Sequence, residues 1–500
     1  MTPNNVSDFL LNGKPPDQIA LRMIGRDYSY GELDNAAFSV AAYLHRISAT
    51  KGDRVILIAE NSFFWVAAYL GIMRAGCACV PLVPTLPHEI LDYILETTGA
   101  TVVFADGRVA LQNKASFKNC HVVTAALLPG SREYCGKLPP VEATDLAALM
   151  FTSGSTGQPR GVMVSHGNII ANTNSIVEYL ELTAADRMMT VLPFHYCFGA
   201  SLMHTHLRVG ASLVLDSRFM YPEMVLQRMI DTRCTGFAGV PSHYQILLQR
   251  SSLSQRQFPD LRAVQQAGGP LAPHFIRELR AALPGTKIFI MYGQTEATAR
   301  LSYLPPDLIE AKLGSVGKGI PGTKLSVLNE SGDPVRPGEV GEIVAQGENV
   351  TGGYWRAHLE TAAAFRNGKL YTGDLATVDP DGFIYVVGRS KDFLKCAGKR
   401  VSCRQLEEQV LRFEGVVEAA VVAMPDAILG DAVRLFVVAR DGDAAHFSES
   451  LRRYCRSVMP PSLVPKEIVS MEFLPKNSAG KILKEQLKRD AETGNPLRPG

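Results

Sequence analysis

The sequence has no strong charge of either sign: 51 lysines and arginines stand against 49 aspartates and glutamates, a net of +2. That balance removes the electrostatic argument for nucleic acid or for a polybasic membrane contact. A long apolar run is missing too. The most apolar stretch, from Trp65 to Val83, is broken by Arg74, Gly76 and Pro81. It reads as a buried helix, a turn and a buried strand rather than a membrane span. No Cys-x-x-Cys pair occurs among the nine cysteines, and the closest two, Cys77 and Cys79, have apolar flanks. An odd count with such flanks fits buried free thiols, not a disulfide framework. The first residues show no basic segment followed by an apolar one, and the ending Leu-Arg-Pro-Gly matches no anchoring signal. A reducing, cytoplasmic location is the resulting expectation.

What is present is a globular composition, 46% hydrophobic and 20% charged over 500 residues, which sets aside disordered and low-complexity classes. That length predicts two or three domains. Strand-like Asp53–Ala59, helical Phe63–Arg74, strand-like Ala78–Val83, helical His88–Thr98 and strand-like Thr101–Phe104 follow one another. This β-α-β-α-β order predicts an α/β fold, with mostly parallel sheets covered by helices, and it resumes from about residue 145 to 300. From Thr323 the texture changes to short alternating strands (Lys324–Leu328, Glu342–Ala345, Phe383–Val387) with Gly and Pro turns, a small antiparallel β unit. The last ~110 residues read as a separate α+β module, with strands Val417–Ala423 and Val433–Arg440, a helix Phe447–Val458 and a polar tail after Leu483. From Arg389 onward, 19 basic and 15 acidic residues give +4, leaving −2 on the body. A mildly basic module facing a larger body suits an anionic ligand between them.

The sharpest local signal runs from Thr152 to Gly161. Four hydroxyl residues (Thr152, Ser153, Ser155, Thr156) and three glycines (Gly154, Gly157, Gly161) occupy ten positions, directly after the apolar Leu146–Phe151 run. Glycine lets backbone N–H groups approach a ligand and the hydroxyls add donors, a combination that suits polyphosphate. It is not the Walker sequence, because no Gly-Lys-Ser/Thr follows. A second match, Gly317-Lys-Gly-Ile-Pro-Gly322, satisfies G-x-G-x-x-G literally. It contains Pro321 and precedes a strand, whereas a dinucleotide fingerprint opens a helix, so an oxidoreductase reading is rejected.

Five motifs occur in one order: Thr152–Gly161, Tyr292-Gly-Gln-Thr-Glu296, Tyr371-Thr-Gly-Asp374, Gly388-Arg-Ser-Lys-Asp392 and Pro475-Lys-Asn-Ser-Ala-Gly-Lys481. That order and spacing resemble the adenylate-forming superfamily of acyl-CoA synthetases, peptide-synthetase adenylation domains and firefly luciferase, over about residues 18 to 490. The resemblance implies a two-step reaction. A carboxylate attacks the α-phosphorus of ATP, and a thiol then attacks the acyl-adenylate.

In the matching positions, the resemblance implies that Thr152, Ser153, Gly154, Ser155, Thr156, Gly157 and Arg160 hold the β and γ phosphates. Thr295 would touch the α-phosphate and Glu296 would hold Mg²⁺ as a hard oxygen ligand. Asp374, assisted by Arg389, would accept hydrogen bonds from the ribose hydroxyls. Gly268, Gly269, Tyr292 and Gly293 would wall the adenine. Lys481 would be the catalytic lysine, carried by the smaller module. The implied division is a body of residues 1–388 and a mobile lid of residues 389–500, with a hinge near Lys391. Rotation there would withdraw Lys481 and present Lys395 and Gly398 to a pantetheine thiol.

Departures from the family pattern are few. Arg160 stands where Lys is usual, which keeps the charge and changes its geometry. Cys403 and Gln405 replace the usual Pro and Glu. Tyr196 takes the place of a gate His, with His195 just before it. Amino-acid-activating relatives carry an Asp after Phe194; here His195 stands there, which disfavours an α-amino acid. The candidate acid pocket of His195, Tyr196, Phe237, Ala238, Gly239 and Val240 is mostly apolar or aromatic and suits a fatty or aryl acid. His204 and His206 beside His195 lack acidic or Cys partners at ligand spacing, so they read as structural. CoA is the favoured acceptor, with loading of an acyl or peptidyl carrier protein as the alternative, since both present the same thiol. A non-catalytic relative would have lost Lys481, Glu296 or Asp374, and all three are present.

Overall fold

The computed structural model describes residues 4–127, 137–152, 158–389, 392–396, 399–426, 429–440, 444–476 and 482–493. Two mostly parallel sheets form the body, as the alternation of apolar strands and amphipathic helices predicts. In the first, six strands run in the order His121–Val123, Val102–Ala105, Arg54–Ile58, Ala78–Leu82, Leu146–Thr152 and Arg160–Ser165. The last pair is antiparallel and the rest are parallel. In the second, nine strands include the parallel neighbours Lys287–Tyr292, Ala263–Gln266, Gly236–Gly239, Arg187–Thr190, Ser212–Leu215 and Ile19–Arg22.

Local chemistry sets the helix ends. Ser29 and Glu32 form a capping box at the start of Tyr30–Arg46. Ser62 accepts from the Trp65 N–H at the start of Phe63–Arg74. Gly99 and Gly210 close two further helices in the left-handed conformation. The Trp65 side chain is fully buried against Tyr69 and Phe194, with ring centroids 4.9 and 5.4 Å away. Helices Tyr30–Arg46 and Phe63–Arg74 approach most closely at Gly71.

One difference from the sequence-based expectation concerns the body. The expected Thr152–Gly161 loop closes early: Arg160 and Gly161 open a strand, Arg160–Ser165, that pairs back onto Leu146–Thr152. The following helix begins at His166, under a Ser165–Asn168 capping box. The alternating Val162 and Val164, both buried, explain the strand: period-two burial outweighed the turn signal of Pro159 and Gly161.

An antiparallel five-stranded sheet follows, including Thr323–Leu328, Gly341–Gly347, Lys369–Val378 and Ile384–Arg389. Gly317 and Gly319 sit where this region meets the larger sheet. A Cβ at Gly317 would lie 1.7 Å from the Tyr303 carbonyl oxygen, so these glycines serve strand crossing, and a strand follows them.

The C-terminal part has its own sheet and its own buried cluster around Leu394, Val410, Leu435 and Leu451. The expected strands lengthen to Val416–Asp426 and Gly430–Ala439, and the expected helix to Ala444–Val458. The polar tail contains a helix, Lys484–Thr493. Leu487 is buried there, and Lys484 reaches the Glu407 carboxylate at 2.6 Å.

Gly71 supplies a direct test of body packing. A Cβ there would meet Val40 Cβ at 2.4 Å and the Ala37 carbonyl oxygen at 2.6 Å. Gly71→Ala gains about 1 kcal/mol of helix propensity, but overpacking against backbone costs about 1–3 kcal/mol. The expected outcome is a net loss of up to about 2 kcal/mol, measured as a lower urea midpoint. An unchanged midpoint contradicts the packing argument.

Candidate active site

Antiparallel pairing of Lys369–Val378 with Ile384–Arg389 sets Asp374 opposite Arg389. Arg389 Nε donates to Asp374 Oδ1 at 3.1 Å, and the Tyr292 hydroxyl donates to Oδ2 at 2.8 Å. Tyr292 ends a strand of the nine-stranded sheet, so two sheets are joined at one carboxylate. Asp374 is 6% exposed. Its charge raises the Arg389 guanidinium pKa, and burial followed by that same charge pushes the Tyr292 phenol well up. Both partners therefore remain donors at neutral pH. A carboxylate has about four acceptor sites, so two remain for a vicinal diol.

Past Tyr292 the chain folds tightly back on itself. A Cβ on Gly293 would lie 1.9 Å from the Ala299 carbonyl oxygen, and Thr298 is held at a left-handed φ of 68°. The turn Thr295–Ala297 presents Glu296, whose carbonyl accepts from the Thr351 N–H at 3.0 Å and the Thr351 hydroxyl at 2.9 Å. The Tyr354 hydroxyl donates to Glu296 Oε1 at 2.8 Å. The Arg160 guanidinium lies 5.8 Å from the Tyr354 ring centre and 3.7 Å from Glu360. Burial and the Glu296 charge raise the Tyr354 phenol, while Arg160 and Arg389 oppose that shift. Arg160, Glu296 and Arg389 thus act on one phenol. The Thr295 hydroxyl is 3.4 Å from Cys197 Sγ, and Thr152 pairs in register with Arg160.

The structure therefore brings together Thr152, Arg160, Tyr292, Gly293, Thr295, Glu296, Asp374 and Arg389. Ser153, Gly154, Ser155, Thr156, Gly157, Lys391, Gly398 and Lys481 lie outside the described residues. Lys395 is exposed on the Phe393–Cys396 strand, and its N–H donates to Asp431 within the C-terminal sheet.

Gly268 adopts φ +82°, and a Cβ there would meet Val240 Cγ1 at 2.9 Å; one on Gly269 would meet Pro241 Cγ at 3.3 Å. Gln266 Nε2 donates to the Gly269 carbonyl at 2.7 Å. This backbone lies against the side chains of Val240 and Pro241. Gly239 is close-packed on His243, with a hypothetical Cβ 3.0 Å from the His243 Cβ. The His195 and Tyr196 rings meet at a tilt, with centroids 4.6 Å apart, just before the helix Cys197–Val209. Phe237 packs edge-on to Tyr244 in an apolar cluster, its ring 3.3 Å from where a Cβ on Gly239 would stand. His204 bonds Tyr69 at 2.9 Å, and His206 bonds the Leu202 carbonyl at 2.8 Å.

Three residues escaped the sequence reading. Asn61 pins the His195 segment through the Leu192 carbonyl and the Phe194 N–H, both at 2.9 Å. Tyr354 follows the glycine pair Gly352-Gly353, which offered a faint signal. Arg300 is the lone charge in the run Ala297–Tyr303 and is 2% exposed; that isolation was the readable sign.

The AMP-binding enzyme family matches residues 11–355 and the AMP-binding enzyme C-terminal domain matches residues 405–481. The chain belongs to the AMP-binding enzyme family. Among curated relatives of this AMP-binding enzyme, a feruloyl-CoA synthase from an Amycolatopsis species is 31% identical over 95% of this chain and 96% of its own. A long-chain-fatty-acid–CoA ligase of Salmonella typhimurium is 29% identical, covering 95% and 92%. The o-succinylbenzoate CoA synthetase of Bacillus subtilis, solved with its acyl-adenylate, superposes with TM-score 0.87 at 26% identity, covering 100% of this chain and 99% of that one. The same protein has also been solved with ATP and a magnesium ion.

Burial of histidines gives the fold a pH signature. Desolvation pushes His166, His195, His206 and His243 down to about 4, and His204 to about 3. Unfolded, each titrates near 6.5, so between pH 6.5 and 4 the unfolded chain binds more protons and stability falls as pH falls. At pH 5 each lowered histidine removes at most about 2 kcal/mol. Urea unfolding at pH 7 and pH 5 should show a steep loss in midpoint, and a flat profile contradicts the neutral, buried state of these rings.

Proposed function

We propose that this AMP-binding enzyme is an AMP-forming acid–thiol ligase of the acyl-CoA synthetase type, acting on a fatty or aryl carboxylic acid and CoA. One observation carries the reading. Asp374, with both its donors in place and acceptor sites to spare, lies in one cluster with the carboxylate of Glu296 and the cations Arg160 and Arg389. That set matches a nucleotide: a carboxylate for the ribose diol, cations for phosphate.

In the first step an oxygen of the acid attacks the α-phosphorus of ATP and pyrophosphate leaves. In the second a thiol sulfur attacks the acyl carbonyl, and AMP leaves with the oxygen that the acid supplied. Asp374 orients the ribose and Tyr292 holds Asp374. Gly268 and Gly269 allow the adenine to lie on bare backbone. Thr295 donates to the α-phosphate, while Arg160 and the Thr152–Gly157 segment take the β and γ phosphates. Glu296 fits Mg²⁺, since Tyr354 fixes one of its oxygens and hard carboxylate oxygen is the preferred donor. When bound, that ion neutralises charge on the phosphates. His195, Tyr196 and Gly239 border the acid.

Lys481 bridges the attacking carboxylate and the α-phosphate, carried by a lid of residues 389–500 that turns on a body of residues 1–388 near Lys391. Lys395 and Gly398 then line the path of the pantetheine arm. The family match and the CoA ligases among its relatives support CoA as acceptor; a carrier protein presents the same thiol. Among the described residues no helix is long and apolar enough to cross a membrane, and we place the enzyme in the cytoplasm.

Lys481→Ala should abolish acid-dependent ATP–pyrophosphate exchange, by at least about 100-fold, because a charge acting only in the transition state is lost. Thiolysis of supplied acyl-adenylate should be largely spared. Wild-type exchange in that variant overturns the role of Lys481. Lys391→Pro should do the reverse, keeping exchange and blocking thioester formation. Equal loss of both half-reactions contradicts a hinge at that residue.

A further inference from the structure

Lys481 lies outside the described residues, but the residues that flank its segment are pinned from several sides. Lys476 and Ile482 pair across an antiparallel bridge, and the Leu483 N–H donates to the Pro475 carbonyl at 2.9 Å. The two ends of the segment 477–481 therefore stand side by side. Apolar contacts seat them on the C-terminal sheet: Leu474 and Leu487 are buried in one cluster with Ala420 and Val422, and Ile482 packs against it. Two ion pairs are added to that packing. Lys476 Nζ donates to Glu418 Oε1 at 2.5 Å, and Lys484 Nζ reaches Glu407 Oε1 at 2.6 Å. The carboxylates come from different elements. Glu418 lies on the strand Val416–Asp426 and Glu407 on the helix Cys403–Val410, where the Val421 N–H also donates to its Oε1 at 2.7 Å.

Packing alone would not place carboxylates there. Glu418 is 7% exposed, the one buried charged residue among the described residues of the C-terminal part. It shares a strand face with Ala420 and Val422, and its Oε2 is buried without a hydrogen-bond partner. Well-packed apolar side chains would serve stability as well or better, because removing two charges from water offsets much of their attraction. What a hydrogen-bonded ion pair supplies, and an apolar contact lacks, is direction. The pinned base also faces the body. The Lys476 charge adds to burial in lowering the neighbouring His243 ring to about 4. The Glu418 strand touches the helix Pro241–Arg250 that carries His243, and His243 packs on Gly239 at the acid side of the site.

We propose that Glu407 and Glu418 are positioning residues for the first half-reaction: by holding Lys484 and Lys476 they fix both ends of the segment that delivers Lys481. The inference rests on the ligase reading and on the role of Lys481 given above, and it deepens both. A charge that acts in the transition state must be placed before the reactants meet, since a misplacement of about 1 Å can cost about 100-fold in rate. Both carboxylates act through a lysine and not on substrate. Thiol transfer does not use Lys481, so it does not depend on them.

The test separates the two half-reactions in the full-length enzyme. Glu407→Gln and Glu418→Gln remove each charge with little change in size. Each should lower kcat for acid-dependent ATP–pyrophosphate exchange at least about 10-fold, with KM for ATP and for the acid changed less than about threefold. Thiolysis of supplied acyl-adenylate by CoA should stay within about twofold of wild type. Lys484→Met should behave as Glu407→Gln does, whereas Lys484→Arg, which keeps the charge, should retain most of the exchange. Carboxylates that only support the fold give a different pattern: both half-reactions fall together with a lower urea midpoint, because both need the C-terminal part. That joint loss overturns the proposal, and so does wild-type exchange in the two Gln variants. Where Glu407→Gln does not fold, Glu418→Gln and Lys484→Met decide by the same split. Lys481→Ala, measured alongside, keeps the claims distinct. Lost exchange there with wild-type exchange in the Gln variants removes this inference alone; wild-type exchange in Lys481→Ala removes the role on which it rests, and no exchange by the wild-type enzyme with any acid removes the ligase reading as well.

Discussion

Asp374 is the residue on which the arrangement depends. One buried carboxylate accepts from Tyr292, at the end of the nine-stranded sheet, and from Arg389, at the end of the five-stranded sheet. Burial together with that charge keeps Tyr292 protonated, and the charge does the same for Arg389. Charge-assisted hydrogen bonds of this kind are shorter and stronger than neutral ones, so the junction fixes the mutual position of two sheets. It also ends where the chain passes toward its C-terminal part. A single interaction thereby joins the two sheets at the proposed nucleotide site, at the end of the strand that leads to the C-terminal part.

Around that carboxylate the fold uses close backbone approach more than side chains. Gly293 must lack a Cβ because the Ala299 carbonyl occupies its place, and Gly268 because Val240 does. The turn carrying Glu296 is held from outside by Thr351 and Tyr354, which belong to a different part of the chain. The scaffold therefore presents short polar groups at defined positions. Arg300 is a cation kept dry among neutral partners.

Much of this was legible in the sequence, for identifiable reasons. The helices Phe63–Arg74 and His88–Thr98 were read to the residue, because apolar periodicity and flanking Gly and Pro agree there. Asp374, Arg389, Glu296 and Thr295 were legible as candidates because each lies in a short contiguous motif, and the structure brings these motifs close together. Arg160–Ser165 was missed as a strand because proline and glycine at its entrance resemble a loop. Tyr354 and Asn61 act across 58 and 131 residues of sequence, a separation that no local pattern reports. Phe237 and Gly239 share one face of the strand, where the Phe237 ring packs beside Tyr244. Arg300 could have been noticed as an isolated charge in an apolar run, but only its burial and its neutral neighbours make that charge meaningful.

The account makes a specific claim about oxygen. If the acid attacks the α-phosphorus and AMP then departs with the acid's oxygen, an acid labelled with ¹⁸O in its carboxylate must hand one labelled oxygen to AMP in each turnover. Mass spectrometry of the nucleotide after complete thioester formation reads this directly. The prediction is AMP carrying one ¹⁸O, with unlabelled pyrophosphate. Unlabelled AMP, or ADP and a labelled phosphate in its place, would contradict the adenylate mechanism on which the whole reading of this site rests.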